Sequence, residues 1–168
     1  MSGRFLTQTQ HRHWSGNVPL ATVPAIGRDF LMWDAPMMHD LFDRWERVWH
    51  DSQYDLIPGC VGPNYIRHDE NGDRTVTREA YADELVTVHK GRPGIRVVVY
   101  DHSFTDDRAW FRFSFQWLDP TTGEKQSRAG MQSYRIEDGK LVETWITMRP
   151  LGTSWTDVAQ DRWTSPKN

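Results

Sequence analysis

Several titratable side chains sit next to one another in segments whose pattern reads as strand. His68 and Asp69 are adjacent where a short strand over 60–68 meets the turn Asp69-Glu-Asn-Gly-Asp73. A histidine–carboxylate pair at a pocket mouth can act as a base and its partner, while an Asp among turn formers is ordinarily solvated. Asp101 and His102 are neighbours on a β-rich run over 95–104. Adjacent strand residues point to opposite faces, so only one of the two can enter a cavity. Counting by twos puts His102 on the face of Val98 and Tyr100, where a neutral imidazole could take or deliver a proton at about neutral pH. Arg112 shares a face with Trp110, Ser114 and Gln116, and Gln132 shares one with Arg128 and Tyr134. A guanidinium among aromatic rings suits an oxygen-rich ligand or a carboxylate. Trp145 and Arg149 are four residues apart on the last strand and so share a face.

Other chemistries find less support. No nucleophile elbow accompanies any Ser-His-Asp set, and Cys60 has no recognisable nucleophile context. His11 and His13 lie on an irregular segment, and no His/Asp/Glu set has convincing metal-ligand spacing, so no metal is expected. The single cysteine allows no internal disulfide and makes the cytoplasm the default compartment. The 20 Lys and Arg against 23 Asp and Glu give a net charge of −3, which disfavours a nucleic-acid partner. No apolar run reaches the roughly 18–20 residues of a membrane helix, and no secretory h-region is visible. The 9 Trp outnumber the 7 Phe and 5 Tyr, and such rings wall ligand cavities and anchor interfaces as well as filling cores.

The 168 residues suggest one domain: an irregular arm over 1–33, an α+β domain over 34–150, and a tail over 151–168 that carries Trp155 and Trp163. Asp34 and Pro36 open a helix on which Met38, Leu41, Phe42, Trp45, Val48 and Trp49 form one apolar stripe ending near Asp51. Residues 53–57 suggest a further short turn. Thr77 caps a second helix over 78–90, with Tyr81, Leu85 and Val88 on its apolar side, and Gly91 ends it. The period then changes to two. Strands are expected over 95–104, 108–118, 125–137 and 141–149, with Asp138-Gly139 as a hairpin turn. Helices first and hairpin-linked strands after imply an antiparallel sheet with helices on one face.

This order resembles the nuclear transport factor 2-like superfamily, in particular the SnoaL-like polyketide cyclases, ketosteroid isomerases and scytalone dehydratase-like enzymes. The resemblance covers roughly 35–150. It rests on the helix ending in HDSQYD, the segment YIRHDENGDRTVTREAYADEL and the hairpin SYRIEDGKLVETW. It implies a cone-shaped, curved antiparallel sheet wrapped on N-terminal helices, an apolar pocket, no cofactor, and a homodimer through the sheet. It also implies roles. His68 or Asp69 falls where ketosteroid isomerases keep their base, and His102 where the dehydratases keep a histidine. Gln132 falls at the oxyanion donor. The dehydratases' helix Tyr and Asp are matched here by Trp45 and His50, with Tyr54 and Asp55 as substitutes. The sequence also departs from the pattern: Ser114 replaces the Asp of the epoxide hydrolases' Arg-x-Asp, and Arg149 replaces the cyclases' acid/base Asp, where it could instead anchor a carboxylate or enolate.

The leading expectation is a cofactor-independent lyase, isomerase or cyclase acting on a hydrophobic oxygenated ring compound. His102, Asp69 and His68 would handle protons. Arg112, Gln132, Trp45, Tyr54, Trp110, Tyr134, Trp145 and Arg149 would surround the ligand. The competing expectation is a non-catalytic small-molecule-binding or assembly domain on the same scaffold, and a third is the small subunit of a ring-hydroxylating oxygenase.

Overall fold

The computed structural model describes residues 34–165, so the expected arm over 1–33 lies outside the described residues. Helix α1 (Asp34–Asp51) holds Pro36 in its first turn, where a missing N–H is harmless. Its stripe of Met38, Leu41, Phe42, Trp45 and Val48 is fully buried. A 3₁₀ turn (Tyr54–Leu56) and the single-turn α2 (Ile57–Cys60) lead into β1 (Val61–Asp69). Next come β2 (Gly72–Thr77), α3 (Arg78–Gly91), β3 (Arg96–Phe104), β4 (Arg108–Leu118), β5 (Lys125–Glu137) and β6 (Lys140–Met148). Thr77 Oγ1 accepts from the Ala80 N–H and caps α3. Asp138 (φ 49°) and Gly139 (φ 68°) both take the left-handed conformation that a tight hairpin requires.

The six strands form one curved, unclosed sheet in the order β2-β1-β6-β5-β4-β3. Two features depart from the sequence reading. The segment over 72–77 is a strand rather than the end of a turn. Its polar composition, Gly-Asp-Arg-Thr-Val-Thr, hides it, because it is an exposed edge strand. The sheet is also not wholly antiparallel, since β1 and β6 pair in parallel.

The helices cover one face. Towards it point Tyr65, Arg67 and Asp69 of β1, Phe111, Phe113, Phe115 and Trp117 of β4, and Gln132 and Tyr134 of β5. A register shift in β3 between Val99 and Asp101 leaves Tyr100 as an extra residue and inverts the alternation beyond it. His102 therefore pairs with Phe111 and takes the helix-facing side along with Val97 and Val99. The face shared with Val98 and Tyr100, expected from an uninterrupted count by twos, is corrected by this bulge.

The segment after β6 returns across the outer face of the sheet. Trp155 Nε1 donates to Phe113 O (2.8 Å), and its ring lies between the guanidiniums of Arg112 (5.0 Å) and Arg149 (5.3 Å). Arg112 also pairs with Asp157. The strap then rounds edge strand β3, where the Gln160 N–H donates to Val99 O (2.8 Å). It ends with Trp163, 4% exposed, wedged against Phe111 and His50. Trp163 Nε1 donates to Val97 O (3.0 Å), and His50 Nε2 lies within hydrogen-bond reach of both the Val97 N–H (3.2 Å) and the Val97 carbonyl (3.1 Å). Burial holds the His50 imidazole below its usual range. The outward backbone groups of Val97 and the Val99 carbonyl are thus satisfied by side chains and strap rather than by another strand.

Trp163→Ala should cost about 3–5 kcal/mol in urea unfolding, as for a buried aromatic truncated to Ala. Val158→Asp in the same strap, at a side chain 91% exposed, should change stability by less than about 0.5 kcal/mol.

Candidate functional site

Between α3 and the concave face of the sheet lies a cavity of about 270 Å³. Its inner walls are apolar: Leu85 and Val88 from α3, Phe115 and Trp117 from β4, and Ile146 and Met148 from β6. Trp49 of α1 and Gln132 of β5 line both this cavity and a void of about 10 Å³ behind it, whose far wall includes Trp163. Gly130 makes room for this packing, because a Cβ there would come within 2.6 Å of Met148 Sδ and 3.0 Å of Phe113.

Opposite these walls stands a closed ring of alternating charges. Arg67 lies 2.9 Å from Asp69, Asp69 lies 2.7 Å from Arg74, Arg74 lies 3.1 Å from Glu84, and Glu84 lies 2.5 Å from Arg67. All four side chains line the cavity. The Arg67 guanidinium also sits 4.7 Å over the Tyr81 ring, where burial pushes the phenol up to about 12, so it remains a donor. Burial alone would raise the Asp69 carboxyl. Hydrogen bonds from Arg74 and the Asn71 N–H, with the charges of both arginines, outweigh burial and hold it below the ordinary aspartate value. Asp69 Oδ1 takes those hydrogen bonds, whereas Oδ2, though close to Arg67, accepts none.

Gln132 has a defined orientation. The Thr144 hydroxyl donates to Ser133 O (3.0 Å), so it can only accept from Gln132 Nε2 (2.9 Å). One N–H of that amide is left over. At the rim, Glu70 in the β1–β2 turn pairs through both oxygens with Arg128 of β5. Arg92, which follows α3, lies 5.2 Å over the Trp117 ring.

Of the residues expected at a site, Asp69 and Gln132 line this cavity, and Tyr134 lines the small void behind it. Trp45 is fully buried, stacked 6.1 Å from Tyr81. Tyr54 lies beside α3, and its hydroxyl donates to His89 Nδ1 (2.5 Å) while His89 Nε2 donates to Trp49 O (3.1 Å). His102 sits apart from the cavity, next to His39, Phe104 and Gln160 of the strap. Trp110, Trp145, Arg112 and Arg149 are on the outer face, and the two arginines there clasp Trp155. The structure therefore does not bring His102 together with Asp69, or Arg112 with Gln132. The sequence reading missed Arg67, Arg74, Glu84, Arg92 and Arg128. Arg67 could have been found by counting two back from Asp69, and Glu84 from its place between Tyr81 and Val88 on the α3 stripe.

Residues 42–144 match the family model described as a SnoaL-like domain, well over half of the chain. The chain belongs to the SnoaL-like family. Similar solved structures include a SnoaL-like polyketide cyclase from Agrobacterium tumefaciens, 18% identical over 67% of this chain and 91% of that one, with a TM-score of 0.59. TsrD from Streptomyces laurentii is 17% identical over 68% and 90%, with a TM-score of 0.60. An NTF2-like protein from Anabaena variabilis is 12% identical over 68% and 88%, with a TM-score of 0.57. At such identities the likeness is one of fold. No curated protein matches the sequence. The SnoaL-like segment ends within β6, so the strap and Trp163 lie beyond it.

On the outer face of this SnoaL-like domain, His68 binds two carboxylates. Its Nδ1 donates to Asp73 (2.8 Å) and its Nε2 to Glu143 (2.9 Å), and its ring stacks on Trp145 at 4.9 Å. A ring with both nitrogens against carboxylates is an imidazolium, and these hydrogen bonds, from Glu143 first and then Asp73, raise its pKa. The stabilisation is complete below the unfolded value of about 6.5 and is lost as pH rises through the higher folded value. The Tm of His68→Gln should therefore fall furthest below that of the wild type at about pH 6, and the gap should close towards about pH 9. A gap independent of pH would refute the charged clasp.

Proposed function

We propose that this SnoaL-like chain is a cofactor-independent enzyme of the lyase, isomerase or cyclase type, which moves a proton beside a carbonyl of a hydrophobic oxygenated ring compound. The observation that carries this reading is Asp69: a carboxylate in the wall of an aromatic cavity, held ionised by two arginines. In this reading Asp69, rather than His68 or His102, is the base, and its carboxylate receives the proton. Arg67 and Arg74 keep the group ionised, which also makes it a weak base. A weak base suits an α-proton already acidified by a second carbonyl or a conjugated ring. The spare Gln132 N–H meets the negative charge that develops on oxygen, and the protonated Tyr81 phenol adds a polar edge to the same wall. The aromatic and thioether walls exclude water and hold the ring.

A homodimer belongs to the same proposal. Trp145 and Met131, 36% and 42% exposed, lie near each other on the outer face of adjoining strands, a surface suited to a second copy. Sedimentation equilibrium should return twice the monomer mass, and a monomer at high micromolar concentration would refute it.

The test of chemistry needs no knowledge of the product. 2-Tetralone in D₂O should exchange its α-protons faster with the wild type than with buffer, read by proton NMR. Asp69→Asn should lower that rate about 10²- to 10⁴-fold, and Gln132→Leu about 10²-fold, with folding checked by circular dichroism. Because the Asp69 carboxyl is held low, the rate should stay level down to about pH 5. Exchange equal in wild type and Asp69→Asn would remove Asp69 as the base. Binding without exchange would support a ligand-binding role instead.

A further inference from the structure

The charges around the cavity do not cancel. Seven charged side chains line it: Arg67, Arg74, Arg92 and Arg128 against Asp69, Glu70 and Glu84. Six neutralise one another, four in the closed ring and two in the Glu70–Arg128 pair at the rim. Arg92 is left over. Among the described residues its guanidinium makes no ion pair and no hydrogen bond; it lies over the face of Trp117, 5.2 Å from the ring centroid, and its charge reaches Glu70, whose oxygens are both taken by Arg128. The cavity thus bears one surplus positive charge in a chain whose net charge is −3. Stacking fixes the plane of a guanidinium while leaving its edge N–H groups free, and that edge matches a carboxylate in two parallel hydrogen bonds. Trp117 is at the same time part of the apolar wall that continues through Phe115 to Ile146 and Met148. One aromatic ring therefore joins an unpaired cation at the mouth to a greasy interior.

We propose that the ligand of this cavity is an amphipathic acid, with a ring seated against the aromatic wall and a carboxylate held at the mouth by Arg92. This rests on the reading of the cavity as the ligand site and adds the ligand's charge and its orientation. Because the carboxylate stays at the mouth, the reacting part of the molecule is the end that reaches inward to Asp69 and Gln132. A ligand carrying a carboxylate is distinguished from its neutral counterpart by Arg92 alone, since every other cation in the wall already has an acid.

The probes are 2-naphthoate and its neutral isostere 2-naphthamide, titrated calorimetrically into the wild type, Arg92→Gln and Arg92→Lys. The wild type should bind naphthoate about tenfold more tightly than naphthamide, the scale of a hydrogen bond to a charged group. Arg92→Gln should abolish the preference, and Arg92→Lys should keep part of it. Added salt should weaken naphthoate only. Equal affinity for the two probes in the wild type, or a preference that survives in Arg92→Gln, would overturn the proposal. If that occurs while 2-tetralone is still exchanged, the acid–base reading stands and only the anionic ligand falls. If the wild type binds neither probe and exchanges no 2-tetralone, both fall together.

Discussion

The ring of Arg67, Asp69, Arg74 and Glu84 is the constraint around which the cavity is built. It ties α3 to the β1–β2 hairpin: backbone hydrogen bonds hold the two strands to each other, while α3 lies across them and is held by side chains. Each charge has two opposite neighbours, so none is left half-buried without compensation. A ring of this kind is nonetheless intolerant of change, because removing one member strands two others. The ring fixes where α3 lies, and α3 supplies Leu85 and Val88 to the cavity wall. It also fixes the chemistry. Two guanidiniums keep Asp69 ionised and limit its strength as a base, and the same pairing consumes two of the cations at the site. Architecture, proton affinity and the surplus charge at the mouth follow from one arrangement of four side chains.

Much of the fold was legible because its elements repeat a simple period over many residues. The stripe on α1 and the clean alternation of aromatic residues in the sequence of β4 left little choice, and Asp138-Gly139 fixed the last hairpin through its need for two positive φ angles. What escaped was short, polar or irregular. β2 has no apolar face to betray it. The bulge at Tyr100 adds one residue to a strand and reverses every side chain after it, and a count by twos cannot register that. The candidate site was legible to the same degree. Gln132 could be placed with Arg128 and Tyr134 by parity, and the choice between His68 and Asp69 narrowed to two neighbours. Only the position of the helices says which of the two faces inward. Arg112 looked like a ligand anchor because it sits among aromatic residues, and Arg149 because it stands where the cyclases carry an Asp. The ring they grip is the chain's own Trp155, forty-three and six residues away in sequence, a pairing that no local pattern announces.

The two histidines at opposite edges of the domain show how one residue type serves opposite purposes. His68 lies between two carboxylates and is stabilising as a cation. His50 is buried under Trp163 against the Val97 backbone, and burial favours its neutral form. The first favours the folded chain as protons are added and the second as they are removed, so each pulls the optimum of stability towards the middle of the pH scale.

The strap over 149–165 has a consequence in time as well as in space. The residues that complete β3 precede Gln160 and Trp163 by roughly sixty positions in the chain, and a ribosome makes them in that order. Until the strap emerges, Val97 and Val99 offer their carbonyls along an open edge, and the slot beside Phe111 is unfilled. The newborn domain thus passes through an interval in which its sheet is nearly complete and still able to recruit a foreign strand. Contacts between residues so distant in sequence are slow to form. The segment that closes the edge is thus made after the sheet it closes, and a delay in its synthesis would prolong that exposure to misassembly.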